Sequence, residues 1–237
     1  LAIGRADALR ALEAEFGKPI LEVGAPFFQS HIDQLEFHID LRMNIMQDLE
    51  NPGQEIVVMS SLETFIEDLV GVPNPTALSK HQFKKALKNK IQILKAKPKL
   101  SEVEANMVQA LLELNYEEII LVIEQEKYSK MLLTNKGYRV RDIAGIFDES
   151  YESAADTKKM GENINFTNVI VSDGVVIVPA GRSKRLNDYA KKFYEDLGYE
   201  VILAKSSELS LCELGGIRCA SETYRRPIFQ QTNPPAP

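Results

Sequence analysis

A cysteine that follows a glycine pair near the C-terminal end is the first candidate for chemistry in this chain. Gly215 and Gly216 precede Cys219, and glycine permits positive φ values and the close approach of a ligand. A thiol in such a loop is a candidate nucleophile, although cysteine is also often buried as a small hydrophobe. The other cysteine, Cys212, lies in a leucine-rich apolar stretch, which favours a place in the core.

Two His-x-Asp tripeptides are candidate partners of this thiol, His31-x-Asp33 and His38-x-Asp40. Polar and apolar residues alternate strictly over 36–45, which predicts a strand with one buried face. The apolar residues are odd-numbered, so His38 and Asp40 are predicted on the solvated face. Continued upstream, the alternation puts His31 and Asp33 on the interior face, where polar side chains require a reason. We therefore expect His31 and Asp33 to take part in the chemistry.

The composition is that of a globular protein that binds neither nucleic acid nor membrane. The 237 residues are 44% hydrophobic and 26% charged, which suffices for a core in one or two domains. The net charge of -6 disfavours a nucleic-acid partner, and no apolar run reaches the roughly 18 residues that span a membrane. Two cysteines make no disulfide framework and indicate a reducing compartment, so we expect a cytoplasmic protein.

The order of the predicted elements repeats along the chain. Residues 165–204 read as strand, strand, helix and strand, and residues 37–143 read the same way with helices inserted near 60–135. Residues 6–23 read as a helix and a strand, which is the end of such a unit. We therefore predict an α/β fold of repeated ββαβ units, about 40 residues each without the insertion.

The repeat places the candidate residues at equivalent junctions. His31 and Asp33 follow the last strand of one unit, and Cys219 follows the last strand of another, so all three are expected at one centre. The elements themselves are predicted from hydrophobic period, caps and turns: helices at 6–16, 60–71, 79–96, from 101, 116–133 and 186–197, and strands at 19–23, 36–45, 55–59, 138–143, 165–171, 175–179 and 199–204.

The helix predicted at 79–96 is rich in lysine. Six lysines form its polar side, and Phe83, Leu87, Ile91 and Leu94 form an apolar stripe. Two interpretations are open for the basic face: it is solvated, or it meets an acidic partner.

Taken together, these features resemble the pentein, or guanidine-modifying, superfamily. The repeated units, the His-x-Asp pair and the late Gly-Gly-x-x-Cys carry the resemblance. The stretch 216–221, followed by Arg225 and then residues 226–227, is most similar to the C-terminal end of peptidylarginine deiminases. Residues 165–168 match an Asn-x-x-Asn strand that precedes the cysteine module. The resemblance implies a partial pentein-type α/β propeller, with about half of the five units present, over residues 1–230, followed by a flexible tail at 231–237.

The resemblance also implies a mechanism, the hydrolysis of an arginine guanidinium to citrulline and ammonia. Cys219 would attack the guanidinium carbon, and His31 would protonate the leaving ammonia and then activate water. Asp33 would hold the guanidinium nitrogens. Arg218 and Arg225 are candidate contacts for a substrate carboxylate or backbone, with structural ion pairs as the alternative. Asn165 and Asn168 are expected to be hydrogen-bonding residues at a strand end rather than substrate contacts.

This sequence departs from the family pattern at several points. The family takes a second guanidinium-binding carboxylate from a unit that precedes its His-x-Asp, whereas only 30 residues precede His31 here. The missing units would come from upstream sequence, since the chain begins at Leu1, or from a second chain. Peptidylarginine deiminases usually carry histidine at the position of Arg218. An arginine at this position is instead similar to the deiminases for free arginine. Calcium, required by the animal enzymes, stays open as a cofactor, and no metal ligand is assigned.

Several functions therefore stay open beside a deiminase for peptide or protein arginine. One is a deiminase for a small guanidine, another an amidinotransferase, and a third a pentein-fold binding module without turnover. A homodimer is compatible with each.

Overall fold

The structure is a computed structural model in which helices and two small sheets form a mixed α/β fold. Within the described part of the chain, no helix is long and apolar enough to cross a membrane. The structure describes residues 43–96, 102–145, 165–181 and 183–204, together with five helical residues of the predicted first helix, Asp7, Arg10, Ala11, Glu13 and Ala14.

The first sheet has the order β1-β2-β3. β1 (Met43–Gln47) pairs antiparallel with β2 (Glu55–Ser61), and β2 pairs parallel with β3 (Arg139–Ala144). A parallel pair requires a crossover connection, and here helices supply it. The turn at 51–53 joins β1 to β2, as the Asn-Pro-Gly sequence predicted.

The second sheet repeats this topology. β4 (Ile170–Ser172) pairs antiparallel with β5 (Val175–Pro179), which pairs parallel with β6 (Glu200–Ala204). Asp173 and Gly174 both have positive φ, at 46° and 79°, the backbone that a two-residue hairpin turn requires. The crossover helix is Lys184–Glu195, named α5 below. The two strand–strand–helix–strand units predicted from the sequence are confirmed.

The helices predicted between the strands of the first unit are also confirmed. The first of them begins after Ser61, whose side chain accepts from the backbone N–H of Thr64. Ser79 and Gln82 form a full capping box, and Gly71, at φ 78°, ends the first helix. The bounds are α1 at Leu62–Thr64, continued as a π-helix over Phe65–Val70, a 3₁₀ turn at Pro75–Ala77, α2 at Lys80–Lys95, α3 at Glu102–Glu113 and α4 at Tyr116–Asn135.

One hydrophobic core spans both units and the inserted helices. It joins Phe65 and Leu87 of the insertion and Ile143 of β3 to Val176 of β5 and Tyr194 of α5. A smaller cluster between the first sheet and α4 contains Val57, Met59 and Leu133. Because the main core is shared, the two units are packed as one body.

The face assignment predicted for the first strand is wrong over the described residues. Asn44 is 5% exposed and Met46 is buried, whereas Ile45 is 53% exposed. The polar residue faces inward because its side-chain amide donates to the backbone oxygens of Thr167 (3.3 Å) and Val169 (3.2 Å) in the second unit. Those bonds satisfy a buried amide and make the even-numbered face of β1 the core face.

Candidate functional site

The carboxyl ends of the parallel strands gather at one end of each sheet. Ser61 of β2 pairs with Ala144 of β3, and Pro179 of β5 pairs with Ala204 of β6. β1 and β4 run antiparallel to these strands, so their first residues lie at the same ends. In open α/β sheets, ligands bind beyond the carboxyl ends of the strands.

Two contacts fix the relative direction of the sheets. Asn44, near the start of β1, donates to Thr167 and Val169, just before β4. At the opposite end, the Tyr199 hydroxyl donates to the backbone oxygen of Gln47, at 2.5 Å. The carboxyl ends of both sheets therefore lie on the same side of the molecule. The chain enters β1 on this side, downstream of both His-x-Asp tripeptides, and leaves β6 on this side, upstream of Cys219.

The catalytic and substrate-binding residues predicted from the sequence lie outside the described residues. This holds for Cys219, His31, Asp33, Arg218 and Arg225, and their roles stay predictions. The structure describes the framework from which those segments depart.

Asn165 organises the turn that precedes β4. Its side-chain oxygen accepts from the backbone N–H groups of Thr167 (3.2 Å) and Asn168 (3.0 Å) and from the Thr167 hydroxyl (2.9 Å). The sequence predicted a strand over 165–171, but the strand begins only at Ile170 because this turn replaces its first residues. The expectation that Asn165 is a hydrogen-bonding residue is confirmed, but it lies in this turn and not at the end of a strand.

The same turn contains an unused donor. Asn165 is 2% exposed, and its side-chain nitrogen has no hydrogen-bond partner. Among the described residues it is the sole buried side-chain nitrogen or oxygen without one. The turn is otherwise tightly held, since the Tyr194 hydroxyl donates to the backbone oxygen of Phe166 at 2.6 Å. Burial raises the pKa of Tyr194, so this hydroxyl stays protonated and remains a donor.

A buried carboxylate anchors the segment that follows β5, also on the carboxyl side. Glu104 of α3 is 6% exposed and accepts from the Ser183 hydroxyl (2.9 Å) and the Arg185 Nε (3.0 Å). Arg185 also donates to the backbone oxygen of Leu69, at 3.0 Å. The inserted helices thus hold the start of α5. No sequence pattern predicts this contact, because the residues are about 80 positions apart and no local signal joins them.

A cavity of about 100 Å³ lies at the carboxyl end of the first sheet, beneath α4. Its charged groups are paired with one another or with the backbone. Lys127 pairs with Glu63 at 2.8 Å, and Lys130 pairs with Asp142. The Glu126 carboxylate accepts from the Leu62 backbone N–H at 2.9 Å. The arrangement closes the junction between α1 and α4 and leaves no charged group aimed at a ligand.

Metal binding finds no support in the described part of the chain, which has no group of three or more His, Cys, Asp or Glu side chains that could hold an ion. The calcium that the family resemblance left open stays a prediction. Comparison of the chain with protein-family models and with curated proteins finds no match.

Proposed function

We propose that this protein is a guanidine hydrolase of the pentein type that converts arginine to citrulline and ammonia. The observation that carries the proposal is the shared end of the two ββαβ units. The His-x-Asp segments lead into β1 at this end, and the segment with Cys219 continues from β6 at the same end. The rest of the propeller is proposed to come from sequence upstream of Leu1 or from a second chain.

The chemistry follows from a thiolate, an imidazole and a carboxylate gathered at one centre. The Cys219 thiolate bonds to the guanidinium carbon, and the C–N bond to one terminal nitrogen breaks as histidine donates a proton to that nitrogen. Ammonia leaves and an S-alkylthiouronium remains. The neutral histidine then takes a proton from water, and the hydroxide adds to the same carbon. The C–S bond breaks to regenerate the thiolate, and the added oxygen loses its proton to the released ammonia or to solvent, which gives citrulline. The aspartate orients the guanidinium through charge-assisted hydrogen bonds.

The faces of β1 bear on which His-x-Asp pair supplies these groups. The prediction of His31 and Asp33 depends on odd-numbered residues facing the interior, and β1 has the opposite arrangement over 43–47. His38 and Asp40 are even-numbered, as are the core-facing residues of β1 over 43–47. Residues 31–40 lie outside the described residues, so we propose either His31 with Asp33 or His38 with Asp40 for these roles.

Affinity labelling tests the nucleophile. A haloacetamidine has a guanidinium-like head, so it should alkylate Cys219 faster than Cys212, and excess arginine substrate should protect Cys219. Peptide mapping by mass spectrometry reads the two sites separately. Equal labelling of both cysteines, without protection by substrate, would contradict an active-site thiol.

A citrulline assay tests turnover and substrate class. Benzoyl-arginine amide represents peptide arginine, and free arginine and agmatine represent small guanidines. The matched variants are Cys219→Ala against Cys212→Ala, and the pair His31→Ala and Asp33→Ala against His38→Ala and Asp40→Ala. We expect Cys219→Ala and one His-x-Asp pair to abolish citrulline and ammonia formation, while Cys212→Ala retains it.

Other outcomes favour the other functions. Transfer of the amidino group to an amine without release of ammonia indicates an amidinotransferase. Saturable binding of arginine without any product indicates a binding module. If neither Cys219→Ala nor either histidine variant changes the yield of citrulline or ammonia, the hydrolase proposal fails.

A further inference from the structure

α2 presents a row of exposed lysines without an acidic residue to balance them. The helix contains six lysines and no aspartate or glutamate, although the chain as a whole has a net charge of -6. Lys85, Lys88, Gln92 and Lys95 are exposed and are spaced three, four and three residues apart. Residues at that spacing lie along one side of a helix, and these four are named the α2 basic row.

The other lysine-rich helix is balanced. Each of three exposed lysines in α5 pairs with an acidic residue four positions later, the spacing that brings helix side chains together. In α2, Lys80 pairs with Glu117 at 3.1 Å, but Lys85, Lys88 and Lys95 form no ion pair within the described residues. The α5 pairs are Lys184–Asp188 at 2.5 Å, Lys191–Glu195 at 3.5 Å and Lys192–Asp196 at 2.8 Å.

We propose that the α2 basic row is a docking surface for an acidic segment of a partner protein. Such a segment would carry carboxylates at the three- and four-residue spacing of the lysines and would form charge-assisted hydrogen bonds with them. Ile93 is 55% exposed and lies about 100° around the helix from Gln92, where it offers an apolar contact of the kind found at protein interfaces to a partner that extends past the row. Charge complementarity selects the partner class, and the proposal is independent of the proposed hydrolase activity.

Two other anionic partners fit these observations less well. A membrane-binding helix inserts an apolar face, but the apolar side of α2 (Phe83, Leu87, Ile91 and Leu94) is buried in the core. A nucleic acid extends beyond a single row about 15 Å long, and the remainder of this acidic chain would repel its phosphates.

The test measures, by fluorescence anisotropy, the binding of a labelled 20-residue peptide, which is about six helical turns long. Its glutamates are three and four residues apart, and it contains one leucine. The variant is K85Q/K88Q/K95Q, and the matched control K184Q/K191Q/K192Q removes the same charge from α5. We expect the α2 variant to weaken binding about tenfold at about 50 mM salt, and the control to change it by less than about twofold. Ile93→Ser should weaken binding of this peptide but not of a version with serine in place of leucine.

Several results would overturn the proposal. They are failure of the wild-type protein to bind the peptide, equal losses in the two triple variants, and tighter binding of phosphatidylglycerol vesicles or a single-stranded oligonucleotide through the same lysines. Circular dichroism of both triple variants is the control for folding. Citrulline formation from small substrates should be unchanged in both, which separates this proposal from the fate of the hydrolase proposal.

Discussion

Asn165 is the residue on which the turn before β4 depends. Its side-chain oxygen accepts three hydrogen bonds inside the protein, and substitution by alanine removes all three. We expect Asn165→Ala to lower the free energy of unfolding by about 2–3 kcal/mol.

Asn187→Ala is the matched control. The Asn187 side chain also bonds to backbone groups, those of Gly181, but Asn187 is only half-buried and Gly181 is exposed, so we expect a loss below about 1 kcal/mol. Urea titration of both variants measures the difference, and equal losses would show that the turn does not depend on burial.

Asp48 makes the stability of the β1–β2 turn depend on pH. Burial opposes ionisation of this carboxyl, but hydrogen bonds from the Asn51 side chain, Arg139 and the Glu50 backbone outweigh it and hold its pKa below the usual 3.8. The lowered pKa in the folded state contributes stability above pH 3.8, which is lost as the pH falls through the folded pKa. We expect Asp48→Asn to destabilise the protein at pH 7 and to flatten the loss of stability on acidification.

The control for this prediction is Glu50→Gln. Glu50 contacts the same Arg139 nitrogen at 2.9 Å but is exposed. Its removal should therefore leave the loss of stability on acidification close to that of the wild type. The measurement is the urea midpoint at pH values between about 2 and 7. If Asp48→Asn loses stability on acidification as steeply as the wild type, other carboxylates cause the pH dependence.

At the scale of elements, Glu104 ties the inserted helices to the second unit. Because Ser183 and Arg185 donate to this buried carboxylate, Glu104→Ala would leave the start of α5 without its anchor. We expect a loss of about 2 kcal/mol, reduced from the value for a fully buried pair because Arg185 is half-exposed. Asp188→Ala, which breaks the exposed Lys184 pair, should cost no more than about 0.5 kcal/mol. A double-mutant cycle of Glu104→Ala with Arg185→Ala measures the coupling, and a value near zero would contradict the anchor.

The elements show what the sequence could predict and what it could not. The apolar stripe of α2 was predicted residue by residue, because a 3.6-residue period and a capping box are local signals. The faces of β1 were predicted the wrong way round. Alternation reveals that a strand has two different faces, but the choice of core face was made by the bonds of Asn44 to residues more than 120 positions away. A polar residue that finds partners inside the protein reverses the simple expectation.

At the scale of the whole molecule, the repeat was predictable and the complete site was not. Two hairpins, each followed by a crossover helix and a parallel strand, recur in the structure as the sequence indicated. The directions of the two sheets depend on contacts between units, such as that of Tyr199 with Gln47, which no motif encodes. Cys219 and the two His-x-Asp pairs lie outside the described residues, so the choice between His31 and His38 passes to the matched variants.

The shared core predicts that the two units unfold together. Core residues from both units form one cluster, and Asn44 joins the units with two hydrogen bonds. Hydrogen exchange followed by mass spectrometry should therefore give the same opening free energy for β2 and β5. Asn44→Ala should lower the stability by about 1–2 kcal/mol and let β5 exchange before β2, because the inserted helices pack mainly on the first sheet. Asn89→Ala, an exposed change on α2, is the control and should leave both strands unchanged. If β5 already opens well before β2 in the wild-type protein, the two units are separate folding units despite their common core.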